Sequence, residues 1–221
     1  MRNEINININ SNEIKELSLK DPQLGKLITL IGNISIKIRQ DRFASLISSI
    51  IGQQLSVKAA RTIYTRFTVL MENKIHPDPI SCIDDNTLRG IGISKQKIGY
   101  IRDLCEKVNN GAINLDSLKD LSDSEVKTTL IEIKGIGNWT AEMFLIFSLG
   151  RKNVLSLGDV GLQRACKWLY KADSKLYGKD LLAEKGEVWK PICSYASLYL
   201  WNSIDNGYVD SFNNIDEILS L

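Results

Sequence analysis

"IKGIGNWTAEMFLIFSL", Ile133 to Leu149, sets two glycines one residue apart and follows them at once with a long apolar run. Glycine permits φ > 0 and carries no Cβ, so the chain can bend tightly there and turn its amides outward. A helix restarting at Asn138, which can cap it, opens with free N–H groups and the positive end of its dipole. That is a place that suits a phosphate. Ile136, between Gly135 and Gly137, would point back and pin the two flanking helices together, and Lys134 adds a positive charge beside the bend. An ordinary helical hairpin needs the same glycines. The glycines alone leave both readings open.

Outward from this bend the periodicity is helical nearly throughout. Phe43, Leu46, Ile47, Ile50 and Ile51 follow the i, i+3, i+4, i+7, i+8 rule. After "GQQ", Ser56 could cap a second helix with Ala60, Ile63, Tyr64, Phe67 and Leu70 inward, and Ser94 a third with Ile98, Ile101, Cys105 and Val108 inward and Gly111 just past its end. Ser122 and Glu125 form a capping box for a helix running to about Ile133, and the helix from Asn138 runs to about Leu149. Asp159 can cap another through Leu169, and Pro191 suits the first turn of a helix carrying Ile192, Tyr195, Leu198 and Tyr199. "INININ" near the start is either a short strand or a frayed tail. The expected fold class is all-α: a two-lobed helical bundle with an active-site cleft between the lobes.

At 221 residues the chain suits one large core or two lobes. No linker stands out, so the expectation is a single unit, with a central lobe over about 45–165 and a second lobe from about 1–44 plus 166–221. The 43% hydrophobic and 24% charged fractions are those of a folded globular protein. A net charge of +2 permits a nucleic-acid partner without announcing one. No apolar run approaches the roughly 18 residues of a membrane helix, and the polar N-terminus lacks the apolar centre of a signal peptide. The cytoplasm (the nucleoid, in a prokaryote) is the expected location. Cys82, Cys105, Cys166 and Cys193 are widely spaced, so reduced, mostly buried thiols are expected and no metal site built from side chains is readable. His76 is the only histidine and sits in a turn-like "HPDP".

"LIEIKGIGNWTAEMFLIFSL" closely resembles the helix–hairpin–helix of the DNA glycosylase superfamily whose members carry a Gly/Pro-rich loop and an aspartate after the hairpin. Its "GIGNWTA" wording is similar to the branch called 3-methyladenine DNA glycosylase II. In that family a catalytic aspartate follows the tryptophan by about twenty residues; here Asp159, in "VLSLGDVGLQ", follows Trp139 at that interval. "DPQLGKLI" (21–28), "FASLISSIIGQQLSVKAA" (from Phe43) and "WKPICSYASLYLW" (189–201) add further likeness in the family's order.

The resemblance implies a monofunctional glycosylase that excises alkylated purines of the 3-methyladenine and 7-methylguanine type from double-stranded DNA. Asp159 would be its catalytic carboxylate, and Trp139, Met143 and Trp201 its base pocket. The hairpin residues Lys134, Gly135, Ile136, Gly137 and Asn138 would hold the DNA backbone. Gln54 and Leu55 lead the candidates for the minor-groove wedge, with Gln53 close by and Lys58 near a phosphate. Related enzymes that also cut the backbone hold a lysine where Trp139 stands, so an intact abasic site should remain. No cofactor is required on this reading; a monovalent cation (Na+ or K+) at the hairpin is plausible, no iron–sulfur cluster is expected, and the protein should be a monomer. Two departures from the family pattern matter: Ser156 stands where a loop proline is common, which would loosen the loop, and Cys193 replaces a commonly basic residue. The alternatives are a glycosylase for other damaged or mismatched bases and a non-catalytic DNA-binding protein using the same hairpin.

Overall fold

A computed structural model describes residues 4–172 and 177–220. In chain order the elements are β1 (Glu4–Ile7), α1 (Asn12–Lys20), α2 (Pro22–Ile31), β2 (Ile34–Lys37), α3 (Arg42–Gly52), α4 (Val57–Leu70), α5 (Pro77–Cys82), α6 (Asp85–Gly90) and α7 (Lys95–Asn109). A 3-10 turn at Ser117–Asp120 precedes α8 (Asp123–Ile131) and α9 (Asn138–Phe147). The chain ends with α10 (Val160–Leu169), α11 (Gly178–Trp189), α12 (Cys193–Asp205), α13 (Tyr208–Ser211) and α14 (Ile215–Leu219). The all-α expectation holds, with one small sheet. "INININ" supplies β1, which pairs antiparallel with β2; Ile5 and Ile7 turn inward while Glu4 and Asn6 face water, the period-two pattern of a half-buried strand. No helix among the described residues is long and apolar enough to cross a membrane.

The helices start where capping side chains place them. Ser56, Ser94, Ser122 and Asp159 each accept a hydrogen bond from an amide in the first turn they open, and Ser122 with Glu125 closes the full capping box. Two starts differ from expectation. Gly137, extended at φ −102° and ψ 179°, is the cap of α9, and Asn138 is its first helical residue. Pro191 lies outside α12, whose cap is Ile192. There the Ser194 amide is drawn away to the Lys152 carbonyl at 2.9 Å, and the helix begins at Cys193. On α4 only Phe67 is fully buried; the other inward positions are half-covered.

The chain divides into two units, Arg39–Leu149 and the pair of segments Met1–Ile38 and Gly150–Leu221. Residues 150–165, Asp159 among them, thus pack with the terminal segments and not with the central lobe expected for them. The physical reason is the anchoring of residues 151–155 on α11 and α12, described below. In the 39–149 unit, Leu46, Ile47 and Ile50 of α3 and Ile98, Ile101 and Leu104 of α7 form a fully buried core. The Arg39 amide donates to the Phe147 carbonyl at 2.8 Å, so the two ends of this unit run side by side. In the other unit, Leu24, Leu27 and Ile28 of α2, Leu162 and Leu169 of α10, Leu182 of α11 and Leu198 and Tyr199 of α12 are buried.

Asp21 of "DPQLGKLI" joins three helices of that second unit. Its Oδ1 accepts from the Leu24 amide at 3.0 Å, capping α2, and its Oδ2 accepts from Trp189 Nε1 at 2.9 Å and from the Tyr170 hydroxyl. Burial, and then the charge of Asp21, push the Tyr170 phenol well above its ordinary value. Asp21→Ala strands a buried donor, Trp189 Nε1, and a part-buried one, the Tyr170 hydroxyl, as well as removing a cap. It is expected to lower unfolding free energy by about 3 kcal/mol, read as a fall in the urea midpoint at constant m.

Candidate active site and nucleic-acid interface

The glycine bend closes through the Ile136 amide, which donates to the Ile133 carbonyl at 3.0 Å, and both isoleucines are buried. Gly135 sits at φ +82°, and a Cβ built there would lie 2.1 Å from the Tyr100 ring. Only glycine fits. Gly137 is different: it is extended, and a Cβ there would meet nothing within 4 Å. As the cap of α9 it has no side chain to offer, so the first turn of α9 receives no side-chain capping bond. The start of α9 therefore lacks a side-chain cap, and Gly137, Asn138 and Trp139 are exposed there, which suits an anion site.

Lys134 is oriented by Asp103 of α7. Its amide donates to Asp103 Oδ2 at 2.9 Å, and its ammonium, on a side chain 74% exposed, lies 3.3 Å from Oδ1. Lys107 adds a second cation at 2.8 Å. Burial by itself raises the Asp103 carboxyl, but the bonds from Lys107 and from the Lys134 amide and ammonium outweigh it and leave the group below its ordinary value.

The turn between α3 and α4 is bound to the same place. Gln53 does not project as a wedge: its Nε2 donates to the Gly135 carbonyl at 2.7 Å. Lys97 of α7 donates to the carbonyls of Ile51 and Gln53, each at 2.7 Å. Beyond these bonds Gln54, at φ +56°, and Leu55 face solvent, the latter 39% exposed. Val57, unremarked in the sequence, is 87% exposed beside them, and Lys58 is exposed at the start of α4. Lys97, Tyr100 and Asp103, at three-residue intervals along α7, thus serve two turns at once. Sequence reasoning assigned that helix only its apolar face; the three-residue spacing of these polar groups was the available signal.

Asp159 is buried, 9% exposed, and fixed as the cap of α10 by accepting the Leu162 amide on Oδ1 at 2.8 Å. Its own amide donates to the Ser156 carbonyl at 3.1 Å. The preceding loop is anchored on α12: Ser194 Oγ donates to the Arg151 carbonyl at 2.8 Å and accepts from the Val154 amide at 2.9 Å. Leu155 lies over Gly186 of α11, where a Cβ would come within 2.3 Å of its Cδ2. Ser156 is completely buried. The absence of proline does not loosen this loop, because Ser194 and Leu155 hold it from the far side. Cys193 is buried with its thiol donating to the Gly186 carbonyl at 3.3 Å, and burial pushes that thiol up to about 11. A buried thiol therefore stands where the resemblance led to the expectation of a basic residue. Cys105 and Cys166 are buried too, whereas Cys82 is exposed.

The aromatic candidates occupy two helices. Trp139 and Met143 share a face of α9 at i, i+4; Trp139 is 49% exposed, unlike a core tryptophan, and Met143 is half-buried. Trp201, half-buried, stands one turn before Ile204 on α12. Ile204 Cδ1 and Asp159 Oδ1 both border Gly161, at 3.3 and 3.1 Å from the position of a Cβ. Among the described residues no group of three or more His, Cys, Asp or Glu side chains could hold a metal ion.

Comparison with known proteins finds similar sequences and folds among DNA glycosylases. A Bacillus subtilis protein, provisionally named a DNA-3-methyladenine glycosylase, is 36% identical over 167 residues, covering 72% of this chain and 58% of the relative. The chain thus spans a little over half the length of that relative. The crystal structure of a Bacillus halodurans DNA-3-methyladenine glycosidase is similar over 100% of both chains, with a TM-score of 0.87 at 40% identity. A Schizosaccharomyces pombe 3-methyladenine DNA glycosylase, solved in complex with abasic DNA, matches with a TM-score of 0.78 at 29% identity over 87% of this chain and 96% of its own. The family described as HhH-GPD superfamily base excision DNA repair protein matches residues 47–191. From hairpin to capping aspartate, the chain belongs to the HhH-GPD superfamily.

Proposed function

We propose that this protein is a monofunctional DNA glycosylase that removes alkylated purines of the 3-methyladenine and 7-methylguanine type from duplex DNA, in base excision repair. The observation that carries the proposal is the fixed carboxylate of Asp159, in a chain whose α9 starts without a side-chain cap behind a glycine bend. The names of its relatives point the same way.

Breaking an N-glycosidic bond builds positive charge on the sugar. A carboxylate held in one geometry by its own helix stabilises that charge without reorganising as it develops, and can orient the attacking water. A purine alkylated on a ring nitrogen is already cationic and departs without a strong general acid, which suits a site with one carboxylate. The exposed face of Trp139 attracts such a ring by about 1–2 kcal/mol once water is excluded. Trp201 offers a second aromatic surface and Met143 a polarisable one. The target nucleotide must first leave the stack, and Gln54 and Leu55 fill the space behind it while the hairpin amides and Lys134 hold backbone phosphate. A sodium or potassium ion at the hairpin, held by main-chain carbonyls alone, would add to that grip. On this reading the protein works where the DNA is, which in a prokaryote is the nucleoid of the cytoplasm.

The experiment is direct. Methylated duplex DNA incubated with the protein should yield free 3-methyladenine and 7-methylguanine by chromatography, and the product strand should be abasic but uncut. Borohydride added during turnover should trap no covalent adduct, since Trp139 offers no amine. Release of no alkylated base, or a trapped adduct, would overturn the reading.

A further inference from the structure

Lys97 lies on α7, outside the turn between α3 and α4, and fastens that turn to the hairpin through Gln53. It caps the C-terminal end of α3: the two carbonyls it binds, Ile51 and Gln53, lie at the negative end of that helix, where an ammonium is favoured. With the main chain at Gln53 thus held, the Gln53 side chain reaches Gly135 and bonds its carbonyl. Tyr100, one turn on from Lys97, lies against Gly135, and Asp103, a turn further, receives the amide of Lys134. One face of α7 therefore sets the separation between the segment that carries Gln54 and Leu55 and the segment whose amides open toward phosphate.

We propose that Lys97, acting through Gln53, is a positioning residue for strand insertion: it holds the α3–α4 turn at a fixed distance from the hairpin, so that gripping the backbone and filling the gap left by the departing base occur in register. This rests on the glycosylase reading above. A residue with this role matters most where a paired base must be extracted and replaced. It matters least where pairing is already absent, because extrusion is then cheapest. A residue that merely stabilised the fold would affect both kinds of substrate alike.

The test compares release of one alkylated base from a fully paired duplex with release of the same base placed opposite an abasic residue. Lys97→Met, which keeps the stem and removes the ammonium, is expected to lower the paired-to-unpaired ratio of single-turnover rates about tenfold. Lys97→Arg should recover most of it, and Gln53→Leu should reproduce the loss while leaving Lys97 intact. A second readout needs no bond breaking: the fluorescence of a 2-aminopurine stacked beside the lesion should rise on binding with the unaltered protein and much less with Lys97→Met at saturation. Equal loss on both substrates, or an unchanged ratio with an unchanged fluorescence rise, would overturn the proposal. Failure of the unaltered protein to release any base would instead count against the glycosylase reading, and the fluorescence arm would still decide the role of Lys97.

Discussion

Asp159→Asn should slow base release by about 100- to 1000-fold while leaving the protein folded and still able to bind DNA. Asparagine caps a helix about as well as aspartate, and its side-chain oxygen can accept the Leu162 amide in the same way. On the glycosylase reading, what disappears is the negative charge that stabilises the developing sugar cation. Loss of one preorganised electrostatic contact of this kind lowers rates by about 100- to 1000-fold. Single-turnover release from 7-methylguanine duplex should fall by that much, while the melting temperature and the affinity for an abasic-site duplex stay close to those of the unaltered protein. Asp159→Ala separates the two roles from the other side, since it also loses the cap and should cost about 1 kcal/mol of stability. If the asparagine variant released base within tenfold of the original rate, Asp159 would be a cap and nothing more.

The two hairpin glycines should fail in different ways when each gains a methyl group. Gly135→Ala forces a Cβ to within 2.1 Å of the Tyr100 ring and puts alanine at φ +82°. Left-handed strain of about 1–2 kcal/mol and an overpacked contact together predict a stability loss of about 3 kcal/mol. DNA affinity should fall with it, because the hairpin that Tyr100 and Asp103 hold from α7 is displaced. Gly137→Ala meets no neighbour and no positive φ, so the fold should tolerate it. Its methyl would instead stand at the mouth of the α9 amides, where a phosphate must come close. Thermal melting should detect the first substitution and DNA titration the second. Equal melting temperatures for the two variants would contradict the assignment of Gly135 to packing and Gly137 to access.

Much of this was readable before any coordinates. Helix starts at Ser56, Ser94, Ser122 and Asp159 follow from a capping side chain acting on its own first turn, a rule that spans three residues. The hairpin was legible because glycine chemistry is also local. The inward turn of Gln53 was not: its partner is 82 residues away, and nothing in "GQQLS" separates one glutamine from the next. Nor was the anchoring of the aspartate loop, where Ser194 bonds 43 residues back. Asn138 misled because asparagine is a good cap, while here the glycine before it takes the extended conformation. The triplet Gly-Ile-Gly is itself ambiguous. It recurs at 90–92 before α7, but there the second glycine takes the positive φ, +105°, and Ser94 bonds the first turn of the helix. Identical letters give a closed helix start in one place and an open one in the other, and the difference lies in the residues just after the triplet.

The pairing of Arg39 with Phe147 brings the entrance and exit of residues 39–149 next to each other. A stretch whose two ends meet behaves topologically like an insert spliced into a single loop of its host. All the residues read as DNA-gripping fall within that insert, and the acid falls outside it. On the proposed reading, such a layout would let the two halves be exchanged separately, one for how a strand is held and the other for what is done to it. It also orders events on the ribosome: the insert is complete and free to fold once residue 149 has emerged, whereas the half bearing Asp159 must wait for α12.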